Sequence, residues 1–259
     1  MLRRSFFLLV LAATPLGAQT STPATLRVMS YNIHHGEGID RKIDLERIAR
    51  LITDARADVV GLQEVDRGCE RTQRRDLPAE LAKLTGMRVV FERNIPYQGG
   101  EYGNAVLTRF PVRSSRNTHY KMLRPGEQRG LLQIMLEVGG REVLFMNTHI
   151  DYRPDDAERL INADEIRDAV EKAGRTPVII VGDFNSTPGS RTYEKLKRFL
   201  TDAWEVAGRG DGFTIPAAKP TKRIDYVFVS AATVQPVKVE VLNSIASDHL
   251  PVVAELRLK

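Results

Sequence analysis

The segment Val178–Ser190, VIIVGDFNSTPGS, constrains the fold of this chain more than any other stretch. Four β-branched residues in a row fit a strand buried on both faces, since a strand with one wet face alternates apolar with polar. The run then passes Gly182 and ends in Asp183, Phe184 and Asn185, ahead of turn formers. An acid and an amide therefore stand where a buried strand reaches the surface.

The same arrangement recurs along the chain. Asn32 follows MSY, Glu64 follows VVGLQ, Asn147 and His149 follow EVLFM, Asp225 opens DYVFV, and Asp248 with His249 precedes LPVVAEL. Taken singly, each reads as a turn former or a cap. Converging on one sheet rim, the carboxylates would repel one another unless a cation or a proton lay between them. Oxygen donors such as Glu64, Asn32 and Asp248, without paired cysteines or a histidine cluster, suit Mg²⁺ or Mn²⁺ rather than Zn²⁺. The histidines are then left as acids or bases.

Of the 259 residues, 42% are hydrophobic and 27% charged, enough to bury a large core. No repeat or composition shift divides Thr25 to Lys259, so one domain is expected. TLRVMSYNI, then Ile43 to Ala55 with apolar residues at helical spacing, then ADVVGLQEV give strand, helix, strand. Further strands are expected in MRVVFER, NAVLTRF, the pair GLLQIMLEV and EVLFMNTHI across Gly139 and Gly140, PVIIVGDF, RIDYVFVS, VKVEVLN and PVVAELRL. Helices fit Leu77 to Leu84, Asp155 to Ala173 and Arg191 to Leu200. About ten strands, many in hairpins, predict two mixed sheets packed face to face with helices outside.

The N-terminus has a character of its own. Arg3 and Arg4 precede FFLLVLAA and then TPLGAQT, the charged, apolar and small-residue order of a secretory signal. Residues 1–20 are read as that signal and 21–259 as the domain, exported to the periplasm or beyond; an uncleaved anchor is the alternative. The single cysteine, Cys69, cannot form an internal disulfide, so the fold rests on its core. Losing Arg3 and Arg4 takes the net charge from +5 to +3, too mild to nominate nucleic acid by itself.

SYNI, LQEV, GNAVLTRFP, MNTHI, VGDFNSTP, RIDYVFVS and SDHLPVVAEL, in this order, resemble the endonuclease/exonuclease/phosphatase superfamily. The resemblance covers essentially the whole chain after residue 20, and GDFN with SDHLP carries most of its specificity. It implies an α/β four-layer sandwich, with two central mixed β-sheets flanked by helices as in DNase I, and a Mg²⁺ site that Mn²⁺ could fill. The implied reaction is hydrolysis of a phosphoester by in-line attack of water.

Carried over by motif, the resemblance implies that Glu64 is the principal metal carboxylate with Asn32 beside it. It implies that Asp183 and Asn185 orient water and hold a phosphate oxygen. His249 is implied as general base or transition-state stabiliser, with Asp225 fixing its tautomer, and Asp248 as a metal ligand through water or a support of His249. His149 resembles the second histidine of the nuclease and sphingomyelinase branches, which binds phosphate or protonates the leaving group. Arg129 and Asn104 match positions near the substrate phosphate. Glu101 is a candidate support of His149, and Tyr97 and Tyr102 fit a mobile Gly-rich loop better than a phosphate contact. His34 and His35 read as a solvated loop bordering the metal. Trp204 is expected to be buried.

Arg67, Arg71, Arg74 and Arg75 are expected on the rim, either tracking a nucleic-acid backbone, holding an anionic head group, or simply solvated. No aromatic hairpin for insertion into membrane lipid is evident. The sequence thus predicts a monomeric phosphodiesterase acting on nucleic acid or on a lipid or small diester. A phosphomonoesterase of sugar or inositol phosphates, and an inactive phosphate-binding module, are the alternatives.

Overall fold

The computed structural model describes residues 25–259, and the signal reading of residues 1–20 lies outside the described residues. Two parallel strand pairs organise the molecule. In the first sheet β1 (Thr25–Asn32) runs parallel to β2 (Val59–Arg67), with α1 (Leu45–Asp54) as the crossover. A parallel pair needs such a crossover, because a tight turn can only return the chain antiparallel. The full order is β11 (Val234–Val241), β12 (Val252–Leu258), β1, β2, β4 (Gly100–Thr108), β3 (Arg88–Tyr97).

The second sheet repeats the plan. Here β7 (Arg141–His149) lies parallel to β8 (Val178–Asp183) across α3 (Ala157–Ala173). Its order is β5 (Val112–His119), β6 (Gly130–Val138), β7, β8, β10 (Asp225–Val229), β9 (Thr201–Asp202). The two mixed sheets with helices outside are those the sequence predicts.

Strand alternation divides the core into three layers. Leu26 and Val28 of β1 meet Ile179 and Val181 of β8 between the sheets. Met29 and Tyr31 face the other way, onto Leu45, Ile48 and Ile52 of α1 and Leu77 and Leu81 of α2 (Leu77–Thr85). On the far side Ile180 packs with Ala163 and Ile166 of α3 and with Tyr226 and Phe228. The unbroken VIIV run is explained, since both faces of β8 are covered. Helix α1 starts where Asp44 accepts from the Arg47 N–H at 2.8 Å, and α2 stops at Gly86, whose φ of +67° suits glycine.

The two sheets pack closely at Gly61, beneath the rim. A methyl group at Gly61 would meet Val181 Cγ2 at 2.3 Å. Beside it the buried Asn147 amide accepts from Gln63 Nε2 at 2.6 Å and donates to the Leu62 and Ala105 carbonyls at 2.8 Å each. Asn147 is thus a tie between the sheets.

Three elements escaped the sequence. Strand β5, VRSSRNTH, is a mostly polar edge strand with no apolar pattern to announce it, and β9 with α5 (Ala203–Ala207) is too short for one. The helix expected over Arg191 to Leu200 ends at Leu196 as α4 (Arg191–Leu196). Tyr97 and Tyr102 belong to the β3–β4 hairpin, with Tyr102 buried, so they are not part of a loose loop. Trp204 is only partly buried, packed at the margin of the inter-sheet core.

Candidate active site

Both parallel pairs end at the same rim, which brings the polar strand ends together. Asn32 closes β1, His149 closes β7 and Asp183 closes β8, and Asp183 is paired in register with both His149 and Asp225. Glu64 reaches the rim by another device. The β2–β4 register shifts between Leu62 and Val65, and Glu64 sits in that bulge with φ of +58°. A bulge re-aims a side chain that strand alternation would otherwise fix.

Asp183 is the hub. Its Oδ2 accepts from Asn32 Nδ2 at 3.1 Å and lies 3.4 Å from His149 Nε2 and 3.7 Å from His249 Nε2. Its Oδ1 accepts from the Asn185 N–H at 3.0 Å. Asn32 Nδ2 also donates to Glu64 Oε1 at 2.9 Å, so one amide bridges the two carboxylates. Asn185, at φ of +44°, turns its own amide nitrogen to the Ile150 carbonyl at 3.1 Å.

The two histidines are held by opposite partners. His249 Nδ1 faces Asp225 Oδ2 at 2.9 Å, whereas His149 Nδ1 faces Arg129 Nη1 at 2.8 Å. A guanidinium can only donate, so His149 Nδ1 must accept and the ring proton sits on Nε2. Burial, reinforced by the Arg129 and His249 charges, holds the His149 pKa well below the usual imidazole range. The ring is a neutral donor aimed at Asp183.

For His249 burial alone would also lower the pKa. The carboxylates of Asp225 and Asp183 override it and push the imidazole up to about 10. Asp183 in turn is raised to about 7 by burial and by the Asp225 charge. Asp225 keeps one buried oxygen, Oδ1, without a partner. The site therefore couples a cationic imidazole to a carboxylate poised near neutrality.

The other sequence candidates fall in varied places. Arg129 is buried between His149 and Glu127 Oε1, which it meets at 2.9 Å. Asn104 is buried and donates to the Gly130 carbonyl at 3.2 Å, bracing β4 against β6. Asp248 keeps a side chain 45% exposed and lies 3.9 Å from His34 Nδ1, apart from the Asp183–Asp225–His249 group. Glu101 pairs with Arg67 at 2.6 Å and not with His149.

His34 and His35 correct the sequence reading most. They occupy a tight turn, His34–Gly36, with His35 only 8% exposed, and their ring nitrogens gather with a Glu64 oxygen. The doublet after Asn32 was the available signal.

The arginine loop is likewise not bare. Arg71 pairs with buried Asp66 at 2.8 Å, Arg74 with Glu70 at 2.6 Å, Arg75 with Glu80 at 3.0 Å and Arg67 with Glu101. Only Arg71 lines the cavity of about 250 Å³ beside Glu64, with Tyr97, Tyr102, Glu127 and Arg129 among the other walls.

A cation fits this donor set. Glu64 and Asp183 are hard oxygen donors bridged by the Asn32 amide, which turns its nitrogen to both carboxylates and accepts from the His34 N–H at 3.1 Å through its oxygen. Relatives share the frame. Protein YbhP of Escherichia coli strain K12, described as uncharacterized, is 27% identical over 251 residues, spanning 90% of this chain and 97% of its own. A 5'-tyrosyl-DNA phosphodiesterase of Caenorhabditis elegans is 27% identical over 188 residues, 70% of this chain and 48% of that protein. The structure of a mannosyl-6-phosphatase from Bacteroides thetaiotaomicron superposes with a TM-score of 0.76 at 22% identity, covering 89% of this chain and 99% of that one. The family model of the endonuclease/exonuclease/phosphatase family matches residues 29–249, which include every residue of the rim described above. This chain is a member of that family of phosphoester hydrolases.

Proposed function

We propose that the protein is a Mg²⁺-dependent phosphodiesterase that acts on a small phosphodiester. One observation carries the reading: each cation at the rim already has a carboxylate partner. Arg129 is matched by Glu127, Arg71 by Asp66 and His249 by Asp225. A dianionic monoester would meet little surplus positive charge, whereas a singly charged diester needs less. The small cavity beside Glu64 supports a compact substituent, and the paired arginines of residues 67–75 weaken a nucleic-acid track.

Glu64 would hold the Mg²⁺, with Asn32 beside it orienting the carboxylate, and the ion would supply charge neutralisation at a phosphoryl oxygen when bound. Asp183, once ionised, accepts a proton from the attacking water, and the Asn185 backbone N–H keeps its carboxylate oriented. His149, neutral, donates from Nε2 to a non-bridging oxygen and does not act as a general acid. His249, protonated and fixed by Asp225, stabilises the charge that develops in the transition state and can protonate the leaving oxygen.

The rates on bis(p-nitrophenyl) phosphate and p-nitrophenyl phosphate, measured with Mg²⁺, test the substrate class. Faster turnover of the diester is expected; a preference for the monoester would overturn it. The Arg3–Arg4 and FFLLVLAA order supports export, checked by the N-terminal sequence of the protein recovered from the periplasm.

A further inference from the structure

We propose that His34, His35 and Glu64 form a site for a divalent first-row transition-metal ion, bound through imidazole nitrogen as well as carboxylate oxygen. The inference rests on the reading above only in sharing Glu64.

One ligand atom from each of the three side chains lies within 4.8 Å of the other two. An ion with bonds of about 2.0–2.2 Å spans donors up to roughly 4.2 Å apart, so shifts on the order of half an ångström close the set. The ring edges are arranged for it. His34 Nδ1 lies 3.3 Å from the Glu37 carbonyl, which can only accept, so this nitrogen carries the proton and Nε2 keeps the lone pair. Such a carbonyl contact at the distal nitrogen is how metal-binding imidazoles are oriented.

His35 is 8% exposed, and its Nδ1 is buried without any hydrogen-bond partner. Its Nε2 stands 3.8 Å from the Glu37 carboxylate. A buried imidazole nitrogen with nothing to bind is unfavourable unless a ligand completes it.

The backbone is bent to this arrangement. His34, His35 and Glu64 all adopt positive φ, at +44°, +44° and +58°. Non-glycine residues take that conformation at an energetic cost, so the three donors are held together by the fold against local preference. The Asp248 carboxylate, 3.9 Å from His34 Nδ1, adds negative charge at the edge.

The donor chemistry selects the ion. Two imidazoles with one carboxylate suit Mn²⁺, Fe²⁺, Co²⁺ or Zn²⁺, whereas Mg²⁺ prefers oxygen throughout. The sequence reading of Mg²⁺ rested on the lack of a histidine cluster, and the turn at His34–Gly36 supplies one.

The test is titration of the purified metal-free chain with Co²⁺, followed by visible absorption, and separately with Mg²⁺, followed by calorimetry. His34→Asn and His35→Asn are the informative variants, because asparagine tolerates positive φ and melting curves can verify that each folds. Co²⁺ is expected to give ligand-field bands in the wild type and to bind at least ~10-fold more weakly to each variant, with Mg²⁺ affinity changed less than about threefold. Co²⁺ affinity and bands that persist in both folded variants would overturn the site. Glu64→Gln separates the two readings. If it abolishes Mg²⁺ binding while the histidine variants retain Co²⁺, the Mg²⁺ reading stands and this inference falls. If the histidine variants lose Co²⁺ while Glu64→Gln retains Mg²⁺, the reverse holds.

Discussion

Arg129 Nη1 donates to Nδ1 of His149 at 2.8 Å, which fixes the proton of that buried imidazole on Nε2. The neighbouring histidine is fixed by a carboxylate and not by a cation, so two similar side chains carry different charge at one rim.

Nitrogen NMR should therefore find His149 neutral, with its proton on Nε2, to well below the pH at which an ordinary imidazole titrates. Replacing Arg129 by Met removes the second-largest influence that depresses its pKa, so that pKa should rise, and kcat/KM should fall by about 10-fold to 100-fold. An unchanged His149 titration in Arg129→Met would sever the link between the two residues.

Activity should rise with pH as Asp183 loses its proton near 7 and fall as His249 loses its own near 10. The Asp225 charge raises both values. In Asp225→Asn the removal of that charge should therefore move both limbs of the profile to lower pH, with a lower maximum. A shift of either limb to higher pH would contradict the assigned cause.

Beneath the rim, Gly61→Ala should destabilise by about 1–3 kcal/mol, since the added methyl falls 2.3 Å from Val181 Cγ2 and 2.9 Å from Asn147 Oδ1. Thermal melting measures this. A melting temperature equal to wild type would mean the sheets have more room between them than the structure gives.

Much of this architecture was legible in the sequence because its strands are apolar and end in polar residues. VIIVGD could be placed as a doubly covered strand, and Asn32, Glu64, His149, Asp183, Asp225 and His249 do share one rim. Other features depend on contacts between segments far apart in the chain. Nothing local distinguishes Asn104, which braces Gly130, from an amide at the surface. The arginines at 67–75 read as a basic patch because half of their partners, Glu80 and Glu101, come from other elements. The His34–His35 doublet was visible, but its meaning needed the bulge at Glu64 that turns a carboxylate toward it.

Metal binding should also appear as stability. At Mg²⁺ concentrations about 100-fold above its Kd the folded state gains about 2.7 kcal/mol, and Glu64→Ala should lose most of that gain. A Glu64→Ala protein that melts higher in Mg²⁺ by as much as wild type would place the ion elsewhere.

The most direct test of the central claim is diester hydrolysis by the wild type with Mg²⁺ and with chelator, beside Asp183→Asn in Mg²⁺. The account predicts turnover that chelation abolishes and that Asp183→Asn lowers by about 100-fold or more. Turnover that survives both chelation and the loss of the Asp183 carboxylate would contradict it.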